Sequence, residues 1–206
     1  MVLKITLLAL IVSGLCLADP IVFTIQGLGT GTVDSTPFSD AEFTFTVTTD
    51  TTLITPFSIP ETETGFETPF VSEAGISIDG FGTGTFTNEE QIFVSNTFAQ
   101  AGITDSGSDL DILDGSNSAF STYNLQSSIE LTMPPVEPLP GPDVPTSLGN
   151  VIFTDASDVS FTASFLVPEP GTWVLCAAGA LLMAGVKLLA GRDSFEASHK
   201  RKCSLQ

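Results

Sequence analysis

Asp105-Ser106-Gly107-Ser108-Asp109-Leu110-Asp111-Ile112-Leu113-Asp114-Gly115 is the stretch of this sequence best supplied with reactive groups. Asp105, Asp109, Asp111 and Asp114 fall close together, with glycines between them that permit sharp turns. Calcium takes carboxylate and other oxygen ligands, so these four aspartates are candidate calcium ligands. The segment is not an EF-hand, because the Asp-x-Asp-x-Asp-Gly order is missing and no glutamate closes the loop. Asp, Ser and Gly are also the common residues of plain turns, and that reading stands beside the metal one. A second acidic run, Glu61-Thr62-Glu63-Thr64-Gly65-Phe66-Glu67, reads as a solvated loop. A carboxylate pair from it could serve as acid and nucleophile in glycoside hydrolysis.

Composition narrows the chemistry further. All six basic residues (Lys4, Lys187, Arg192, Lys200, Arg201 and Lys202) lie outside 19–167. Of the 24 acids only Glu169, Asp193 and Glu196 lie outside it, so the central part holds 21 acids and no Lys or Arg. The single histidine is His199, and the three cysteines are Cys16, Cys176 and Cys203. The central part therefore has no internal salt bridge, disulfide, thiol nucleophile, histidine base or arginine clamp. Zinc, which favours histidine and cysteine, is a poor fit. Nucleic acid is excluded as a partner, since nothing is available to neutralise phosphates. Self-repulsion opposes the compact state, and salt or bound metal must screen it. With 21 acids, carboxylate pairs arise by chance, and one tyrosine without a tryptophan makes a poor sugar platform. No catalytic residue is assigned, and the expected function is non-enzymatic.

The elements that must position these acids are strands. Phe43, Phe45 and Val47 alternate with polar residues, as do Val159, Phe161, Ala163 and Phe165. Ile21, Phe23 and Ile25 share a face, as do Ile76 and Ile78, and Tyr123, Leu125, Ile129 and Leu131. This two-residue period is the mark of half-buried strands, and Thr, Val, Ile and Phe suit a pleated surface. The expected fold is an all-β antiparallel sandwich of about eight to ten short strands. Ile25-Gln26-Gly27-Leu28-Gly29-Thr30-Gly31-Thr32-Val33 is echoed by Ile78-Asp79-Gly80-Phe81-Gly82-Thr83-Gly84-Thr85-Phe86. The echo predicts two equivalent strands whose bare glycine face admits an aromatic ring or another backbone. Six prolines within Met133–Pro145 predict a stiff, extended connection.

The two ends carry addresses. Lys4, the apolar Ile5–Leu15 and the small-x-small Cys16-Leu17-Ala18 read as a secretory signal peptide over 1–18. At the other end Val167-Pro168-Glu169-Pro170-Gly171-Thr172-Trp173 precedes an apolar run, Val174–Ala190, interrupted only by Lys187. Such a run is long enough to span a bilayer as one C-terminal transmembrane helix. Trp173 sits where an interfacial aromatic belongs, and Arg192 with Lys200-Arg201-Lys202 marks a cytoplasmic side. The expected division is signal peptide 1–18, exported domain 19–166, sorting motif and helix 167–191, and basic tail 192–206.

The order of Val167, Pro168, Glu169 and Pro170, then Thr172 and Trp173, an apolar helix and Arg192 resembles the PEP-CTERM sorting signal of Gram-negative bacteria. The resemblance implies recognition and cleavage by an exosortase, a membrane protease-transpeptidase. It also implies an exported protein, anchored in the inner membrane before processing, then on the outer surface or in an exopolysaccharide or biofilm matrix. Gly27-Leu28-Gly29-Thr30-Gly31-Thr32, Phe120–Leu125, Thr146–Asn150 and Asp158–Ala163 resemble a group of small PEP-CTERM proteins. That second likeness implies location and fold, with no activity attached. The alternatives carried forward are a calcium-dependent glycan- or self-binding module and a carboxylate-based hydrolase.

Overall fold

Alternation of Thr with Phe, Val and Ile produces strand along most of the chain, and the computed structural model describes residues 20–135 and 141–166. The signal peptide, the helix and basic tail, and Val167, Pro168, Glu169, Pro170, Thr172, Trp173 and Arg192 lie outside the described residues. Among the described residues no helix is long and apolar enough to cross a membrane.

Twelve strands are described: β1 (Pro20–Val33), β2 (Thr36–Asp50), β3 (Thr55–Ile59), β4 (Glu63–Glu67), β5 (Gly75–Ile78), β6 (Gly82–Thr85), β7 (Glu90–Ser95), β8 (Gln100–Asp105), β9 (Leu110–Ser116), β10 (Ile129–Thr132), β11 (Val144–Thr146) and β12 (Gly149–Phe165). All their pairings are antiparallel. One sheet runs β10-β12-β1-β2-β5-β6, with β11 also on β12; the other runs β3-β4-β7-β8-β9. The count exceeds the expected eight to ten, and three strands are long rather than short. β1, β2 and β12 have 14, 15 and 17 residues and form the middle of the larger sheet.

The inward faces of both sheets contribute to one hydrophobic core. Phe153 meets Phe38, Phe43 and Phe45 edge-on, with ring centroids 5.0 to 5.5 Å apart. Phe161 gathers Phe120 and Tyr123 edge-on and Phe23 at a tilt, with centroids 5.4 to 6.2 Å apart. Each buried phenylalanine contributes about 1.5–3 kcal/mol, and no Lys or Arg among the described residues offers ion pairs in support.

The glycines of β1 make room for those rings. A Cβ on Gly29 would lie 2.6 Å from the Phe153 ring and 3.1 Å from the Phe43 ring. Here the expected bare face exists. The long strands bend around it through bulges at Asp40 in β2 and Asp158 in β12, both with positive φ. The echo Ile78–Phe86 is different: it forms the β5–β6 hairpin, with Gly80 (φ +83) and Gly82 (φ +97) in the left-handed region. The two copies are therefore not equivalent strands. In one, glycine removes a side chain; in the other it makes a turn.

Two further expectations change. Tyr123 and Leu125 are buried but outside any strand, whereas Ile129 and Leu131 lie in β10. Asn117 opens a short 3-10 turn over Ser118–Thr122 by accepting from the Ala119 N–H, and Leu125 has φ +62. The acidic run Glu61–Glu67 is not a loop, since Glu63–Glu67 is β4. Residues 136–140 of the proline-rich connection lie outside the described residues, and Pro145 falls in the three-residue β11, which pairs with β12.

Candidate functional site

The Asp105–Asp114 segment is a hairpin, and it disperses its aspartates. Asp105 ends β8 and is buried, Asp109 sits in the turn with φ +60, and Asp111 and Asp114 are carried by β9. A bulge between the Ile103 and Thr104 pairings puts Asp111 opposite Thr104, whose hydroxyl donates to its Oδ1 at 2.7 Å. Among the described residues no three carboxylate, histidine or cysteine side chains form a metal-holding group.

Asp111 instead joins residues that sequence reasoning kept apart. The outer face of the five-stranded sheet holds a cleft of about 360 Å³ lined by Phe57, Ile59, Glu63, Glu67, Gln91, Phe93, Thr104 and Asp111. β3, β4, β7, β8 and β9 all contribute to it. Its two aromatic rings are seated on glycines. Phe57 pairs with Gly65, where a Cβ would lie 2.7 Å from the ring. Phe93 pairs with Gly102, where a Cβ would lie 2.8 Å from the ring. Bare positions beneath the rings let them lie against the sheet and keep a flat apolar surface in the cleft. Burial raises the pKa of Glu67. Burial raises that of Asp111 too; the Thr104 hydroxyl lowers it and the charge of Glu63 raises it again.

A second carboxylate pair lies on the inner face of the same sheet. Glu90 on β7 pairs in register with Asp105 on β8, and the two are 0% and 1% exposed. Asp105 accepts from Asn88 Nδ2 and from the Ser108 N–H, each at 2.8 Å. With both carboxyls ionised, neither oxygen of Glu90 has a hydrogen-bond donor, and Ser108 Oγ has no partner either. Burial first, then the charge of Asp105 and a hydrogen bond shared with it, push the Glu90 pKa up to about 9.

Glu90 carried no distinguishing signal in the sequence, because Glu89-Glu90 reads as one more exposed acidic dipeptide. The inward phase of Glu90, Ile92 and Val94 was available, but strand alternation gives no reason to bury a glutamate. Phe57 and Phe93 likewise read as ordinary strand residues until their facing glycines are known, so the expectation of a poor sugar platform, drawn from Tyr and Trp alone, overlooked this pair.

The described part is thus all-β and two-sheeted, with an acid-rimmed aromatic cleft on one sheet. Comparison of the chain with family models, with curated proteins and with solved structures finds no match in any of the three.

Proposed function

We propose that this is an exported, non-enzymatic surface or matrix protein that holds neutral glycan chains in the cleft of its five-stranded sheet. The observation that carries the reading is the pair Phe57 and Phe93, seated on Gly65 and Gly102 among Glu63, Glu67, Gln91 and Asp111. Pyranose rings present C–H faces to flat aromatic surfaces, and their hydroxyls donate to carboxylates and amides set around an apolar floor. Acidic glycans would be repelled, because the domain has no cation to meet them. The sandwich would serve as a rigid carrier. The signal peptide would export it, and the Pro-Glu-Pro signal with its transmembrane helix would hold it in the inner membrane. Cleavage by an exosortase would then release or display it in an exopolysaccharide setting.

The test is affinity electrophoresis of the full chain through gels containing neutral β-glucan, mannan or galactan. Retardation by one of these, lost in Phe57→Ala and Phe93→Ala but kept in Phe98→Ala on the exposed β7–β8 turn, is the expected result. Retardation that survives both cleft variants would place binding elsewhere, and no retardation in any gel would end the glycan reading. Export is tested separately. Persistence of the full-length chain in the inner membrane of a host that carries the sorting enzyme would overturn that half.

A further inference from the structure

Glu90 poses a problem that proton sharing alone does not solve. It is fully buried beside a buried aspartate, and no Lys or Arg among the described residues can compensate either charge. A buried carboxylate without a partner is among the costliest groups a fold can hold. Both oxygens of Asp105 are already served, one by Asn88 Nδ2 and one by the Ser108 N–H. A proton placed between the carboxyls would satisfy one more contact. It would leave the other Glu90 oxygen still unserved, and with it the hydroxyl oxygen of Ser108, the residue whose N–H donates to Asp105.

A positive centre shared by several oxygens would satisfy these groups together. We infer that Glu90, Asp105 and Ser108 form a site for one oxygen-preferring divalent cation of calcium's kind, at the turn end of the β8–β9 hairpin. Two carboxylates balance the ion's charge, and together with a hydroxyl they supply up to five of the six to eight oxygens that calcium takes, water supplying the rest. Asn88 is a positioning residue that fixes Asp105 from the neighbouring turn. The Ser106 N–H, donating to the Glu89 carbonyl at 3.0 Å, ties the turn down over the site. Asp109 and Asp111 are not part of this site. The inference uses none of the glycan cleft residues, so either reading can fail while the other stands.

The experiment uses the full chain in mild detergent, stripped with chelator. Calcium and magnesium chloride are titrated in separate calorimetric runs, and thermal unfolding is followed by circular dichroism against sodium chloride of matched ionic strength. Binding of one calcium per chain with a rise in Tm beyond the salt control is expected, since a ligand of the native state stabilises by mass action. Glu90→Gln and Asp105→Asn should weaken binding at least about tenfold, because charge count sets affinity at such sites. Asp111→Asn should leave binding unchanged. Ser108→Ala, which leaves both carboxylates in place, should weaken it without loss of fold and keeps the test decisive if the carboxylate variants fail to fold. Equal response to all salts overturns the inference. So does calcium binding that Ser108→Ala leaves intact, or that Asp111→Asn abolishes.

Discussion

Glu90 and Asp105 face one another across β7 and β8, in register and shut away from solvent, on the inner side of the sheet whose outer side carries the aromatic cleft. One sheet thus separates two carboxylate groupings with opposite surroundings. The inner pair is buried beside Asn88 and Ser108, while Glu63, Glu67 and Asp111 stand around an open cleft.

The inner pair gives the cation-free protein a defined pH dependence. Glu90 has its pKa raised from 4.5 to about 9 in the folded state, chiefly by burial. Below 4.5 it is protonated whether folded or unfolded and contributes no slope. Between 4.5 and about 9 the folded chain holds a proton that the unfolded chain has released, so stability falls as pH rises. Above about 9 both states are ionised and the effect levels off. Urea unfolding midpoints measured in chelator across this window should decline with pH in the wild type. Glu90→Gln should remove most of that decline, and an unchanged slope in the variant would assign it to other acids.

The outer acids make a prediction of two opposite signs. Thr104 donates to Asp111 and lowers its pKa, whereas the charge of Glu63 raises it. Thr104→Val should therefore move the Asp111 titration upward and Glu63→Gln should move it downward. Carboxyl-carbon NMR of the two variants reads both. Movement of both in one direction would mean that Glu63 and Asp111 do not share the cleft.

The glycines of the larger sheet divide by what lies above them. A Cβ on Gly29 would lie 2.6 Å from the Phe153 ring, in a core with no slack, whereas one on Gly75 would meet nothing closer than 3.7 Å. Gly29→Ala should cost about 1–3 kcal/mol through overpacking. Gly75→Ala should be neutral or gain up to about 1 kcal/mol, since alanine has less chain entropy to lose in a strand. Urea denaturation of the pair checks this, and equal losses would count against the ring placement.

Gly29 and Gly82 also show how far the sequence could be read. The alternation of Phe43, Phe45 and Val47 with threonines fixed the strand period, and the bare glycine face of β1 was legible from its spacing. The same words in the echo meant a turn, because Asp79-Gly80 lies between two short strands that pair with each other. The acids of Glu63–Glu67 looked like loop because local composition cannot report that β7 lies beside them. The cleft was hidden for the same reason: Phe57 meets Gly65, and Phe93 meets Gly102, only through strand register.

Tyr123 and Leu125 were misread as strand, and the stability of the segment 118–125 should rest on one side chain from a neighbouring turn. Tyr123 and Leu125 keep the two-residue spacing of a strand, yet among the described residues no strand pairs with them. Their backbone needs are met by side chains instead. Asn96 Nδ2 donates to the carbonyls of Phe120 and Tyr123 at 2.7 and 2.9 Å, and the Tyr123 hydroxyl donates to the Ser127 carbonyl at 2.6 Å. Asn96→Ala would strip a donor from two carbonyls beside the core, at about 1–3 kcal/mol. Tyr123→Phe, which removes one bond and keeps the ring against Phe161, should cost only about 1 kcal/mol. Asn96→Ala should also speed hydrogen exchange over 118–125 while leaving β1 protected. Uniform acceleration would mean that the segment is held by the core alone and that the asparagine is incidental.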